Sequence, residues 1–209
     1  MKTSKKKNKI LHYSLPLVIP VTIVLFWILN SSLHFVPEYL LPSFKKVFKT
    51  AGHYFFGTGT TAPYASRFLS DFGVSIIRVL LGFAIATLIG IPLGILTGIK
   101  KSAHRLFSTF INSIRSVPGI TWLPLAMIWL GIGMKTTVFL ISLAAFFPIY
   151  LTTHNAVINF NEKLLQAGEM MGLTRFQKII HILLPGASSQ ILSGLRLGLG
   201  ISWAYLVLG

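Results

Sequence analysis

Five windows of this chain are apolar over enough consecutive residues to cross the roughly 30 Å hydrocarbon layer of a bilayer as a helix. They run from about Leu11 to Leu33, from Val74 to Ile99, from about Leu106 to Leu130, from Thr136 to Thr152 and from Ala187 to Gly209. Only 11% of the residues are charged, against about a quarter in soluble domains. The fold class expected is therefore all-α, a polytopic membrane helix bundle. The apolar run at Gly209 has no polar tail, so a further C-terminal helix is expected beyond it.

The net charge of +15 raises the question of nucleic acid. The Lys and Arg residues sit in short clusters between apolar runs, where they act as topology signals rather than forming a basic face. No nucleic-acid partner is expected. Lys2, Lys5, Lys6, Lys7 and Lys9 place the N-terminus in the cytoplasm, and Lys100, Lys101, Arg105, Lys163, Arg175 and Lys178 fall on the same side by alternation. Lys45, Lys46, Lys49 and Arg67 fall outside, in a long loop with Glu38 and Asp71. A signal peptide has the same order of charge and apolarity as the opening. The apolar run is long for one, and "NSSLHF" is a poor cleavage site, so a retained first span is expected.

The second window carries Gly82, Ala86, Gly90, Gly94 and Gly98, and the fifth carries Gly194, Gly198 and Ser202. Small residues at four-residue spacing let helix backbones approach closely where lipid gives no hydrophobic drive to association. Pro92 is expected to kink the second span. Arg78, Arg115 and Arg196 lie within spans, where arginines usually face a cavity, a partner or a headgroup. Arg78 and Arg115 are expected near enough to span ends to snorkel, with Arg196 deeper. The third window is interrupted in "RSVPGITWLPLAMIWLGIG" by Pro118, Gly119 and Pro124. Such breaks are tolerated at membrane depth only where backbone is buried in protein or lines a cavity. Arg115, Pro118, Trp122, Pro124 and Arg196 are accordingly the pathway candidates.

Enzyme chemistry lacks its parts. The four acidic residues, Glu38, Asp71, Glu162 and Glu169, fall in loops, and no span pairs a carboxylate with a histidine, so no catalytic or metal site is expected. Cysteine is absent, which removes thiolate and disulfide chemistry. "GILTGIKKS" lacks the glycine directly before lysine that a phosphate loop requires.

The connector "AGEMMGLTRFQKIIHILLP", Ala167 to Pro185, reads as two short amphipathic helices. Glu162 to Met171 forms the first, with Leu164, Ala167 and Met171 on its apolar face. Gly172 supplies a left-handed stop, and Thr174 with Gln177 forms a capping box for the second. There Phe176, Ile179, Ile180 and Leu183 make the apolar face, and Pro185 ends the helix. Greasy sides are expected against the bundle and polar sides outward. A docking surface and an inert interfacial connector are both compatible with this pattern.

The order of residues resembles the EAA loop of permease subunits from bacterial binding-protein-dependent ABC importers. Gln166, Ala167 and Gly168 hold the triplet position, Gly172 the glycine, and Ile182, Leu184 and Pro185 the ending, all at the family spacing. Gln166 and Gly168 depart from the Glu-Ala-Ala pattern. "RVLLGFAIATLIGIPLGILTG", "RSVPGITWLPLAMIWLGIG", "GLRLGLGISWAYLV" and "LLPSFKKVF" resemble the sulfonate, nitrate and taurine branch of that family.

The resemblance implies the type I importer permease fold. It divides the chain into an N-terminal region, 1–60, holding the cytoplasmic tail, first span and start of the outer loop, and a permease core, 61–209, with the EAA loop at about 160–186. It implies docking of cytoplasmic ABC ATPase subunits through Gln166, Ala167, Gly168, Glu169, Gly172, Ile182, Leu184 and Pro185. A second permease copy in a homodimer and an extracytoplasmic solute-binding protein are the other partners implied. No cofactor is expected on this chain, since ATP and Mg would be used by the ATPase. The rival reading is a secondary transporter or channel working without an ATPase, which calls for coupling-ion sites at mid-membrane.

Overall fold

The structure, a computed structural model, describes residues 3–33, 35–57 and 64–208. Among these residues the regular structure is helical throughout. The chain divides into two compact units, Met1–Asp71 and Phe72–Gly209.

In the first unit α1 (Thr3–Leu33) is followed by α2 (Phe44–Phe56), an amphipathic helix in what the hydropathy pattern shows only as a loop. The chain between them is tied by hydrogen bonds: Trp27 Nε1 donates to the Pro42 carbonyl at 2.9 Å, and the Val36 N–H to Asn30 Oδ1 at 2.7 Å. Trp27 also meets Phe44 edge to face, with centroids 5.3 Å apart. Tyr54 reaches forward to donate to Asp71 Oδ2 at 3.1 Å.

The second unit is built around α6 (Met134–Ile158), which packs between α3 (Phe68–Ile99) and α9 (Leu184–Leu206). Helices α3 and α6 are both long and apolar enough to cross a membrane. The small-residue ridges do what their spacing predicts. Val79, Gly82, Ala86, Gly90, Gly94 and Thr97 are the buried face of α3. Along this face Gly82, Gly90, Gly94 and Gly98 meet Ile141, Ile149, Thr153 and Val157 of α6 so closely that a side chain on any of these glycines would crowd them. Gly194 and Gly198 of α9 approach α6 at Thr152 and again at Ile149, whose side chain meets both neighbouring helices. Being covered on two sides, α6 buries Leu140, Ile141, Ala145 and Ile149 almost completely, as an all-apolar helix must. Helix α3 runs through Pro92 as one helix.

One polar knot crosses this seam. Thr97 Oγ1 donates to the Leu93 carbonyl at 2.8 Å and lies 3.0 Å from His154 Nδ1. His104 stacks on His154 with centroids 4.7 Å apart.

Two expectations require correction. The third window, Leu106 to Leu130, is not a continuous span. It divides into α4 (Lys101–Arg115), a 3-10 turn (Gly119–Trp122) and α5 (Leu123–Leu130). Pro118 forces the residue before it out of the helical region, and Gly131 and Gly133 then reverse the chain with φ of 77° and 128°. Nor does Pro185 end the second short helix. The chain from α8 (Arg175–Lys178) passes through a π-helical stretch, Ile179–Leu183, into α9 without a break. The Leu184 N–H bonds to the Ile179 carbonyl, five residues back. That widened turn makes room for the Pro185 ring where an α-turn would press it on the His181 carbonyl.

Candidate functional site

Two features of the second unit hold the candidate residues. The first is the hairpin of α7 (Glu162–Met170) and α8. Asn161 caps α7 by accepting from the Lys163 N–H at 3.0 Å. Helix α7 ends in a Schellman motif: the Leu173 N–H bonds to the Gly168 carbonyl and the Gly172 N–H to the Glu169 carbonyl, both at 3.0 Å. Gly172 has φ of 78°, the left-handed conformation that the motif demands and that glycine adopts without strain. Thr174 and Gln177 then form the predicted capping box, with the Thr174 N–H donating to Gln177 Oε1 at 2.8 Å. Lys178 bridges back to Glu169 at 3.2 Å. Both helix ends are thus satisfied locally, and the hairpin is stiff.

Its burial departs from the expected arrangement in the first helix and meets it in part in the second, where Leu183 is buried and Ile179 half-buried. The inward residues are Gly168, which sits under Ile182, with Leu165 and Leu173 beside it. Leu164, Ala167 and Met171 are exposed rather than packed on the bundle, and so are Met170, Phe176 and Ile180. A Cβ at Gly168 would meet Cδ1 of Ile182, the end of a flexible side chain, and with this edge inward the neighbouring apolar side chains face outward. Met170 is 90%, Met171 81% and Phe176 70% exposed, three large apolar side chains within seven residues of one another. Of the docking candidates, Gln166, Ala167, Glu169, Gly172 and Pro185 are exposed, Ile182 and Leu184 are half-buried, and Gly168 is buried.

The second feature is a cleft of about 400 Å³ between the end of α4, the broken segment after it, α6 and α9. Arg115, Pro118 and Gly119 form one wall, and Leu143, Phe147, Ile201 and Tyr205 face them. The α6 wall, Leu143 to Leu151, straddles the middle of α6. Arg115 is the last residue of α4, and its side chain is exposed where it lines this cleft. Gly119 touches the Tyr205 hydroxyl closely enough to exclude a side chain. Trp122 follows in the 3-10 turn with its indole N–H buried and without an acceptor among the described residues. Pro124 opens α5. Arg196 is exposed on the face of α9 away from Gly194 and Gly198 and is not among the residues lining this cleft. Tyr205 lies outside the sequence-predicted set, since an isolated tyrosine near a helix end carries no pattern.

Residues 90–209 match the family model described as the binding-protein-dependent transport system inner membrane component. The chain belongs to this family of ABC importer permeases, an inner membrane component, in the branch whose members are named for sulfonate, nitrate and taurine. It is 32% identical over 193 residues to a protein named as an ABC transporter permease of Methanocaldococcus jannaschii, covering 92% of this chain and 70% of that one. To the taurine transport system permease protein TauC of Escherichia coli it is 37% identical over 133 residues, 64% of this chain and 48% of TauC. The match thus spans about half of TauC. In three dimensions it resembles the inward-facing MetNI methionine ABC transporter with a TM-score of 0.60, at 21% identity over 70% of this chain and 74% of that one, which establishes the fold. These relatives are transport permeases, not enzymes.

Proposed function

We propose that this chain is the permease subunit of an ATP-driven importer of a small anionic solute, and that it docks a cytoplasmic ATPase through the α7–α8 hairpin. The observation that carries the reading is the exposure of Met170, Met171 and Phe176 on a hairpin whose first helix is capped at both ends and whose second is capped at its start. Apolar exposure of this kind marks an interaction surface, and rigid capping means little ordering entropy is lost when a partner seats on it. Gln166, Ala167, Gly168, Glu169, Gly172, Ile182, Leu184 and Pro185 present or support that surface. ATP and Mg belong to the ATPase, two permease copies form the path, and an extracytoplasmic binding protein delivers the solute. Arg115, Pro118, Trp122, Pro124 and Arg196 are assigned to the path. The hairpin faces the cytoplasm, as does the N-terminus.

In proteoliposomes holding the full permease, its ATPase and its binding protein, uptake is expected to require ATP on the ATPase side. A proton or sodium gradient alone is expected to drive none, because the described helices that cross the bundle carry no carboxylate away from their ends, Asp71 lying in the first turn of α3. Gradient-driven uptake without ATP would replace this reading with a secondary transporter. Orientation is tested separately. With Thr174→Cys in intact cells an impermeant thiol reagent is expected to leave the chain unlabelled, whereas Lys49→Cys is expected to react. Labelling at Thr174 from outside would place the hairpin on the wrong side for an ATPase.

A further inference from the structure

The cleft beside Arg115 holds an electrostatic imbalance. The ion pairs among the described residues are Glu38–Lys46 and Glu169–Lys178, and Arg115 is in neither. The four carboxylates of the chain lie in the first unit (Glu38, Asp71) or at the hairpin (Glu162, Glu169). Arg115 therefore has no carboxylate partner, and its side chain is exposed in a cleft whose opposite wall comes from the middle of α6. An exposed guanidinium without a carboxylate partner is open to an anion that enters the cleft. A guanidinium is always protonated and presents a planar fork of donors suited to two oxygens of one oxyanion.

The rest of the cleft narrows the choice of anion. Leu143, Ala144, Phe147, Pro148 and Ile201 line it with hydrocarbon, and the Tyr205 hydroxyl supplies a second polar group opposite Gly119. A bare inorganic oxyanion would leave that apolar wall against water. A monoanion with a short apolar body covers both surfaces, its head on Arg115 and its body on the wall. The volume, about 400 Å³, lies within the usual range of small-molecule pockets.

We propose that the Arg115 cleft is a charge-selecting station in the translocation path. The permease itself, and not only the protein that delivers the solute, discriminates in favour of organic monoanions. Arg115 takes the anionic head, Tyr205 donates beside it, and Gly119 is small so that the phenol can reach in. This rests on the importer reading for its meaning as a path, but the selectivity is measurable without transport.

The chain contains no cysteine, so Leu143→Cys introduces a single reporter into the cleft wall. Its reaction with an anionic methanethiosulfonate and with a cationic one of similar size is followed by mass spectrometry of this chain within the assembled complex. The anionic reagent is expected to react faster relative to the cationic one than it does with free thiol, by about tenfold, the low end of electrostatic focusing in a cleft. Adding Arg115→Gln is expected to abolish the preference, and Arg115→Lys to retain part of it. A short alkanesulfonate is expected to slow modification, and nitrate at equal concentration to slow it less. Tyr205→Phe should weaken that protection while keeping the charge preference. Equal reagent preference in the Arg115→Gln and parent backgrounds would overturn the proposal while leaving ATP-driven uptake untouched. Uptake that proceeds without ATP would instead remove the importer reading and leave the selectivity of the cleft standing. Protection by nitrate as strong as by the alkanesulfonate would remove the role of the apolar wall.

Discussion

Gly94→Leu is expected to disrupt the second unit more than any change at its periphery. A Cβ at this position would stand 2.8 Å from Thr153 Cβ and 3.0 Å from the Tyr150 carbonyl oxygen. Neither atom is the free end of a flexible side chain, so the helices themselves must separate. Separation at Gly94 also loosens the contacts of Gly82, Gly90 and Gly98 with α6, because all four glycines lie along one face of the same helix. Overpacking a dense core costs about 1–3 kcal/mol, and a whole leucine on a shared seam belongs at the upper end. For a chain of this size that is roughly 6–12 °C in Tm. The measurement is thermal unfolding of the detergent-solubilised protein. Gly73→Leu serves as the control, since Gly73 belongs to the same helix and has nothing within 4 Å of its Cβ position. Equal losses for the two variants would mean that the α3–α6 seam is not closely packed.

Gly172→Val is expected to reduce the ATPase that co-purifies with the chain by about tenfold, the equivalent of about 1.4 kcal/mol. The effect is conformational, because a Cβ at Gly172 meets nothing within 4 Å. The left-handed backbone there costs an L-residue about 1–2 kcal/mol, more for a β-branched one. Relaxing it would break the hydrogen bonds from Leu173 to Gly168 and from Gly172 to Glu169, and would release α7 from its fixed angle to α8. Gly172→Asn should fall between the two, since asparagine tolerates this conformation. Gln166→Glu should be neutral, because the side chain is exposed and the change restores the family residue. Undiminished co-purification of Gly172→Val would show that the hairpin is not the interface.

Much of the helix–glycine–helix turn is legible in the residues alone. The left-handed stop at Gly172 and the reciprocal bonds of Thr174 and Gln177 are short-range devices whose partners lie within five residues of one another. The ridges of α3 and α9 are legible for a similar reason. Four-residue spacing places small residues on one side of any helix, whatever that side meets.

Which side of α7 faces the bundle is not legible in this way. By periodicity Leu164, Ala167 and Met171 make a plausible apolar face. In the structure the helix instead turns Gly168 toward Ile182, and Met170 and Met171 stay exposed. The continuity of the helix past Pro185 is equally hidden, because the π-turn that accommodates the ring is a feature of Ile179–Leu183 rather than of the proline.

What the sequence determined by itself was the helical class, the close-packing faces and the caps, all set by neighbours a few residues apart. What only the tertiary structure decided was the cleft. Arg115 comes from the end of α4, Leu143 and Phe147 from the middle of α6, and Tyr205 from the end of α9. Their meeting depends on α4 stopping at Arg115 and on two glycine seams setting how closely α3 and α9 hold α6. Those distances are fixed by the packing of whole helices, a global property that local spacing does not encode.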